Sequence, residues 1–142
     1  MTKPFDLDID AIKQRSARHV TAILEGRDDR TEYPYLALTS TGRRSGKPRS
    51  TALIYGRDGD RFVIVASLGG APKSPQWFFN LEGDPEATVH VDGRDVPVTA
   101  RVADGEERAR LWEMMVEVYP PYSEYQLKTE RLIPVVVLEP KG

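Results

Sequence analysis

Hydrophobic and polar positions along this chain switch between two periods, and the switches mark the elements. Residues 8–25 follow the helical period, with Ile9, Ile12, Val20, Ile23 and Leu24 on one side, and Gly26 closes the run. The charged stretch 27–32 reads as a linker. Residues 33–40 are apolar and extended, a polar glycine-containing loop spans 41–48, and 49–56 reads as a second strand. Asp58-Gly59 signals a tight hairpin, because both central positions of a type I′ turn need positive φ. Residues 61–67 make a third strand, broken by Leu68-Gly69-Gly70-Ala71-Pro72. A short helix is predicted over 75–82, with Ser74 as N-cap and Pro75 at the first helical position. Strands over 86–92 and 94–102 flank Asp92-Gly93. Asp104 and Glu107 have capping-box spacing. The helix they open runs to about Tyr119, with Ala109, Trp112, Met115, Val116 and Tyr119 on one face, and Pro120-Pro121 stops it. A short tyrosine-rich connection leads to a last strand near 132–138.

Successive tight hairpins imply antiparallel pairing. About six mainly antiparallel strands with three flanking helices make an α+β chain. A small closed or split β-barrel is the economical arrangement, since closure removes exposed sheet edges. Its 142 residues fit a single domain overall, with an N-terminal helix and linker over 1–32 and the barrel over 33–142.

Composition narrows the chemistry. Hydrophobic residues make up 39%, which suits a folded core rather than disorder. Zero cysteine excludes disulfides, thiolate catalysis, iron–sulfur clusters and cysteine-type zinc sites. The two histidines, His19 and His90, lie far apart with no ligand spacing, so no metal is expected. No nucleophile–base–orienter set is visible either. The start lacks the apolar run of a signal peptide, and the 132–138 run is too short to span a bilayer, which makes a cytoplasmic location the default. Lys13, Arg15 and Arg18 on the first helix would also suit a peripheral membrane contact, although packing on the barrel explains that helix as well.

Charge is unevenly distributed. The net charge is −2, but residues 33–81 carry seven basic and two acidic residues, whereas 82–142 carry seven basic and thirteen acidic ones. A local cationic block in a mildly acidic protein points to a discrete anionic ligand and away from nucleic acid. The block centres on the 39–49 loop, where Arg43, Arg44 and Arg49 supply forked donors and Thr41 and Ser45 neutral ones. Two glycines there would let backbone N–H groups turn toward an anion. A solvated hairpin loop with basic decoration is the alternative. The Gly-Gly break at 69–70 permits close backbone approach to a ligand, and the helix start after it favours an anion. Trp77, Phe78 and Phe79 offer flat surface, although at least one of them belongs to the core. Tyr119, Tyr122 and Tyr125 at three-residue spacing would line one side of a helical turn, as a lid or as ordinary packing.

Taken together, these blocks resemble a known family. Leu-Thr-Ser-Thr-Gly-Arg-Arg-Ser-Gly-Lys-Pro-Arg over 38–49, Asp-Gly-Asp-Arg-Phe-Val-Ile-Val-Ala-Ser-Leu-Gly-Gly-Ala over 58–71, and Pro-Gln-Trp-Phe-Phe-Asn-Leu over 75–81 are similar to the deazaflavin-dependent nitroreductases. So are the closing Tyr-Pro-Pro-Tyr-Ser-Glu-Tyr and Ile-Pro-Val-Val-Val, so that the resemblance runs from about Tyr35 to Pro140. Members of that family reduce nitroimidazoles and quinones with coenzyme F-420 and have a split β-barrel fold. The resemblance implies hydride transfer from reduced F-420, an 8-hydroxy-5-deazaflavin with a phosphodiester and a polyglutamate tail, to a quinone, nitroaromatic or similar electrophile. It implies that Arg43, Arg44, Ser45 and Arg49 hold phosphate and tail, and that Ser50, Thr51, Ala52, Leu53 and Ile54 run beside the cofactor. Val65, Ala66, Ser67 and Leu68 would line the ring and ribityl chain with Gln76, Trp77, Phe78, Phe79 and Asn80. Tyr122 would contact the cofactor, and Ser67, Tyr119 and Tyr125 would shape the substrate pocket. Leu68 stands where the family often has lysine, and Ala52 where proline is common. A non-catalytic carrier of the same cofactor and an FMN-binding split-barrel flavoprotein are the alternatives; one phosphate on FMN leaves several arginines unexplained. By analogy with related folds, a homodimer is expected.

Overall fold

The computed structural model describes residues 9–26 and 32–141, with side chains described from residue 17 onward in the first helix. The side chains of Ile9, Ile12, Lys13 and Arg15 and the 27–31 part of the linker lie outside the described residues.

The elements in chain order are α1 (Ile9–Leu24), β1 (Tyr35–Thr41), β2 (Pro48–Ile54), β3 (Gly56–Asp58), β4 (Arg61–Val65), a single 3-10 turn (Leu68–Gly70), α2 (Gln76–Gly83), β5 (Glu86–Val91), β6 (Arg94–Val102), α3 (Gly105–Val118), α4 (Pro121–Leu127) and β7 (Val135–Pro140). The strands form one antiparallel sheet in the order β2-β1-β5-β6-β7-β4-β3. The sheet curls until β2 comes near β4, giving a half-barrel. The described residues form seven strands and four helices, where about six and three were expected. The predicted 49–56 strand divides after Tyr55: its pairing with β1 runs on to the Tyr55 N–H and Pro34 O (3.1 Å), and from Gly56 the chain pairs with β4 as the separate strand β3. The tyrosine-rich connection is helical because Pro121 occupies a first-turn position, where a missing N–H costs nothing.

Period-two alternation sorts the strands between two cores. On β4, Phe62 and Ile64 join one cluster, with Ala66 just beyond the strand, while Val63 and Val65 join the other. On β7, Val136 and Leu138 face the first cluster, and Val135 and Val137 the second with Ile133. Both strands are buried on both faces, so they read as unbroken apolar runs. The first core lies inside the curl, closed by Trp77 and Leu81 of α2; the second lies outside it, under α3 and α4. Each fully buried aliphatic side chain there contributes roughly 1.5–3 kcal/mol.

Several local expectations change. The buried stripe of α3 is Leu111 and Met115, and Ala109 is exposed. Asp104 stands at the N-cap of α3 without a side-chain cap bond, and the Glu107 carboxylate, which would complete a capping box, is held by Arg101 (2.5 and 2.9 Å) instead. Pro75, not Ser74, is the N-cap of α2. The Asp92-Gly93 turn has φ of 51° and 74°, as a type I′ turn requires. At the other hairpin Asp58 pairs with Arg61, so the turn centres on Gly59-Asp60 and only Gly59 has positive φ.

Candidate active site

The β1–β2 loop is built from its own backbone. Gly42 N–H donates to Lys47 O (2.8 Å), Gly46 N–H to Gly42 O (2.9 Å) and Lys47 N–H to Ser45 Oγ (3.2 Å). Asn80 ties the loop to α2: its buried Oδ1 accepts from Arg43 N–H (3.0 Å) and from Gln76 Nε2 (3.1 Å). A Cβ on Gly83 would stand 3.4 Å from Arg43 Cγ, and one on Gly42 the same distance from Arg49 Cγ, so both arginine stems lie against glycines. Arg43, Arg44, Lys47 and Arg49 are all exposed, and none forms an ion pair among the described residues. Four unneutralised cations thus cluster at one end of the half-barrel. Below them Ser40 Oγ is buried with no hydrogen-bond partner.

A second cluster gathers the tyrosines. Tyr119 and Tyr125 share a hydroxyl–hydroxyl hydrogen bond (3.2 Å), and Tyr119 meets Tyr122 and Tyr33 edge-on, each at 4.9 Å between centroids. The Tyr125 hydrogen bond, helped by burial, pushes the Tyr119 phenol up to about 12. Burial raises Tyr122 further, with nearby Tyr119, Tyr125 and Tyr35 adding to it. Tyr122 packs into the second core beside Val65 and within reach of Trp112.

Two strips of chain connect the clusters. β2 runs from Arg49, beside the basic loop, to Ile54, which pairs with Tyr35. At about 3.3 Å per residue those ends stand roughly 17 Å apart. The strand is a sheet edge; Ser50 is exposed, its Oγ 2.7 Å from Thr39 Oγ1, and Thr51, Ala52, Leu53 and Ile54 are half-buried. The other strip is 66–74, which leaves β4 beside α4 and leads into α2. Ala66 and Ser67 are buried, Leu68 is half-exposed, and Leu68, Gly69 and Gly70 have φ of 43°, 63° and 84°.

The Gly-Gly break suggests room for a ligand, but a Cβ on Gly70 would stand 2.7 Å from Tyr125 O, so Gly70 makes room for α4. Trp77 is the core ring expected among the three aromatics, and Phe78 and Phe79 are half-buried. No sequence motif marks Arg131, which holds the 66–74 strip across 57–65 residues, or Gln126, which holds the backbone at Arg131 and Ile133. The open depression lined by Asp58, Asp60, Arg61, Glu139 and Pro140 lies apart from this region, and Asp58 and Glu139 are already engaged by arginines.

A split half-barrel with a cationic loop at one end, a part-buried cluster of phenols at the other and no acid–base–nucleophile set among the described residues suits an oxidoreductase whose cofactor carries the chemistry. The family model described as F420H(2)-dependent quinone reductase matches residues 12–140, and the chain belongs to that family. The match reaches into α1, beyond the Tyr35 limit drawn from the motifs. An F420H(2)-dependent quinone reductase of Mycobacterium tuberculosis is 44% identical over 108 residues, covering 74% of this chain and 72% of the relative. A solved F420-H2 dependent reductase is 45% identical with a TM-score of 0.70, covering 75% of this chain and 94% of its own. A second solved structure, described as a domain-swapped dimer, is 39% identical with a TM-score of 0.73, covering 94% of this chain and all of its own. The family name implies coenzyme F-420 as cofactor and a quinone as substrate.

Proposed function

We propose that this chain binds reduced F-420 along β2 and the 66–74 strip, phosphate and glutamate tail on the basic loop, ring toward the tyrosines, and reduces a quinone there. The observation that carries this reading is the spacing: four unpaired cations roughly 17 Å along an edge strand from a cluster of phenols. An anion-tailed, extended ligand fits that layout, and the donor set is all cationic or neutral. FMN offers one phosphate and leaves most of the four cations unanswered.

When bound, the cofactor supplies the hydride, and the chain supplies everything else. Arg43, Arg44, Ser45 and Arg49 bind the tail. Phe78 and Leu53 pack at the edge of the first core and exclude water from one side. Tyr119 and Tyr122 stay protonated at neutral pH, because the Tyr125 hydrogen bond and burial disfavour phenolate at Tyr119 and burial does so at Tyr122, so the tyrosine cluster presents O–H donors to oxygen where negative charge develops. Ser67 lies close enough in chain order to Val65, which packs with Tyr122, to serve the same pocket. Nitroaromatics, which need similar stabilisation of charge on oxygen, are the second substrate class.

A fluorescence titration with F-420 and with FMN, each across a range of salt, tests the assignment. F-420 binds more tightly, and Arg43→Glu and Arg49→Glu each weaken it and flatten its salt dependence. Unchanged affinity and slope would remove the basic loop from the site. Quinone and nitroaromatic turnover with the reduced winner then separates an enzyme from a carrier, and Tyr122→Ala impairs it more than His90→Ala does. Size-exclusion mass and co-sedimentation with anionic vesicles check the homodimer and the membrane contact of α1.

A further inference from the structure

Arg131, on the loop before β7, sends four hydrogen bonds into one segment. Nε donates to Ala71 O (2.9 Å), Nη1 to Ala66 O and Ser74 Oγ (3.2 Å each), and Nη2 to Ser67 O (2.8 Å). Four of the five guanidinium donors are thereby used, and Arg131 forms no ion pair among the described residues. The segment it grips is strained. Leu68 holds φ of +43° despite its side chain, and Gly69 and Gly70 follow in the same left-handed region. Such a run persists only where its surroundings over-determine it. Arg131 does so by drawing the carbonyls of Ala66, Ser67 and Ala71 to one planar fork.

The backbone that carries Arg131 is itself held. Gln126 Nε2 donates to Arg131 O (2.7 Å), Gln126 Oε1 accepts from Ile133 N–H (3.0 Å), and Arg131 N–H donates to Thr129 Oγ1 (3.3 Å). Gln126 lies on α4 next to Tyr125, and Gly70 packs on Tyr125 O from the other side. The strip with Ser67 and the helix with Tyr122 and Tyr125 are therefore joined through Arg131 and Gln126, as well as by the contact of Gly70 with Tyr125.

We propose that Arg131, backed by Gln126, is a positioning residue that fixes the separation between the 66–74 strip and the tyrosine helix, and so between cofactor and quinone. This rests on the function proposed above. Lysine keeps the charge, but its single ammonium cannot reproduce a planar fork spanning four acceptors.

The test compares Arg131→Lys with wild type in the full chain by thermal melting, site-resolved amide hydrogen exchange, F-420 titration and quinone kinetics. The expected result is a folded protein whose 67–71 amides exchange about tenfold faster while the sheet is unchanged. kcat falls by about ten- to a hundredfold, more than KM rises, as slight misplacement of reacting groups does. A lowered melting temperature with 67–71 exchange, F-420 affinity and kcat all within twofold of wild type would make Arg131 an ordinary fold staple and overturn the proposal. Should Arg131→Lys fail to fold, Gln126→Met gives the same pattern at about threefold, and its absence is equally fatal. If wild type binds no F-420, the cofactor reading fails by itself. The exchange data then still decide: acceleration confined to 66–74 and α4 supports the clamp, and uniform acceleration refutes it.

Discussion

Replacing Gly70 by alanine measures how tightly the 66–74 strip is pressed on α4. Two costs arise. The residue holds φ of +84°, where an L side chain costs roughly 1–2 kcal/mol. The new Cβ would also stand 2.7 Å from Tyr125 O and 3.1 Å from Tyr125 Cα, both backbone atoms of a helix that cannot swing aside. Overpacking of that kind costs about 1–3 kcal/mol. Gly69 provides the control: its φ is +63°, but no atom lies within 4 Å of its Cβ position. Gly69→Ala therefore carries the strain without the overlap, and both variants share the same gain from a stiffer unfolded chain. The difference between them isolates the contact, about 1–3 kcal/mol, which for a domain of this size is a gap of roughly 3–12 °C in Tm. Paired urea and thermal melts provide the measurement. Equal losses for the two variants would show that the strip does not bear on α4, and would weaken the case for a clamped pocket.

Two further expectations concern the cores and the phenols. Trp77→Ala costs about 3–5 kcal/mol in urea unfolding, because the ring closes the first core, and Phe79→Ala costs less than half of that. Stability is lost at alkaline pH: the unfolded chain releases its tyrosine protons near pH 10, whereas Tyr119 keeps its proton up to about 12 and Tyr122 beyond. The unfolded state binds fewer protons in that window, so stability, complete below pH 10, falls as pH rises through it. Tyr119→Phe flattens the decline in melts read against tyrosinate absorbance.

Elements whose signals are local were legible in the sequence. The 94–102 strand, the Asp92-Gly93 turn and α1 with its left-handed Gly26 stand where the hydrophobic pattern and turn chemistry place them. Boundaries slipped where a tertiary contact intervenes: the 49–56 segment changes partner from β1 to β4 after Tyr55, and Glu107 abandons a cap for Arg101. α4 is legible only as the three-residue spacing of its tyrosines, because Pro120-Pro121 signals the end of α3 as strongly as the start of a new helix. In the candidate site, the arginines and tyrosines were visible as residue types in a motif. What Asn80 and Arg131 do was not, since Asn80 reaches back 37 residues to Arg43 and Arg131 reaches 57–65 residues to its acceptors. No short window contains both ends of such a bond.

The place of β7 in the sheet bears on how the chain comes to be folded at all. β7 follows every other strand in sequence yet lies between β6 and β4, and Val65 meets Val135 across 70 residues. Until β7 emerges, the β3–β4 hairpin has no neighbour, and both cores lack a wall. Synthesis from the N-terminus therefore leaves the β4 edge open while 66–134 is made, and the β6 edge open while 103–134 is made. Pairing at such separation is slow and vulnerable to aggregation. Folding rate and yield during expression should then depend on β7 substitutions, such as Val136→Thr, more steeply than on changes in the local β5–β6 hairpin.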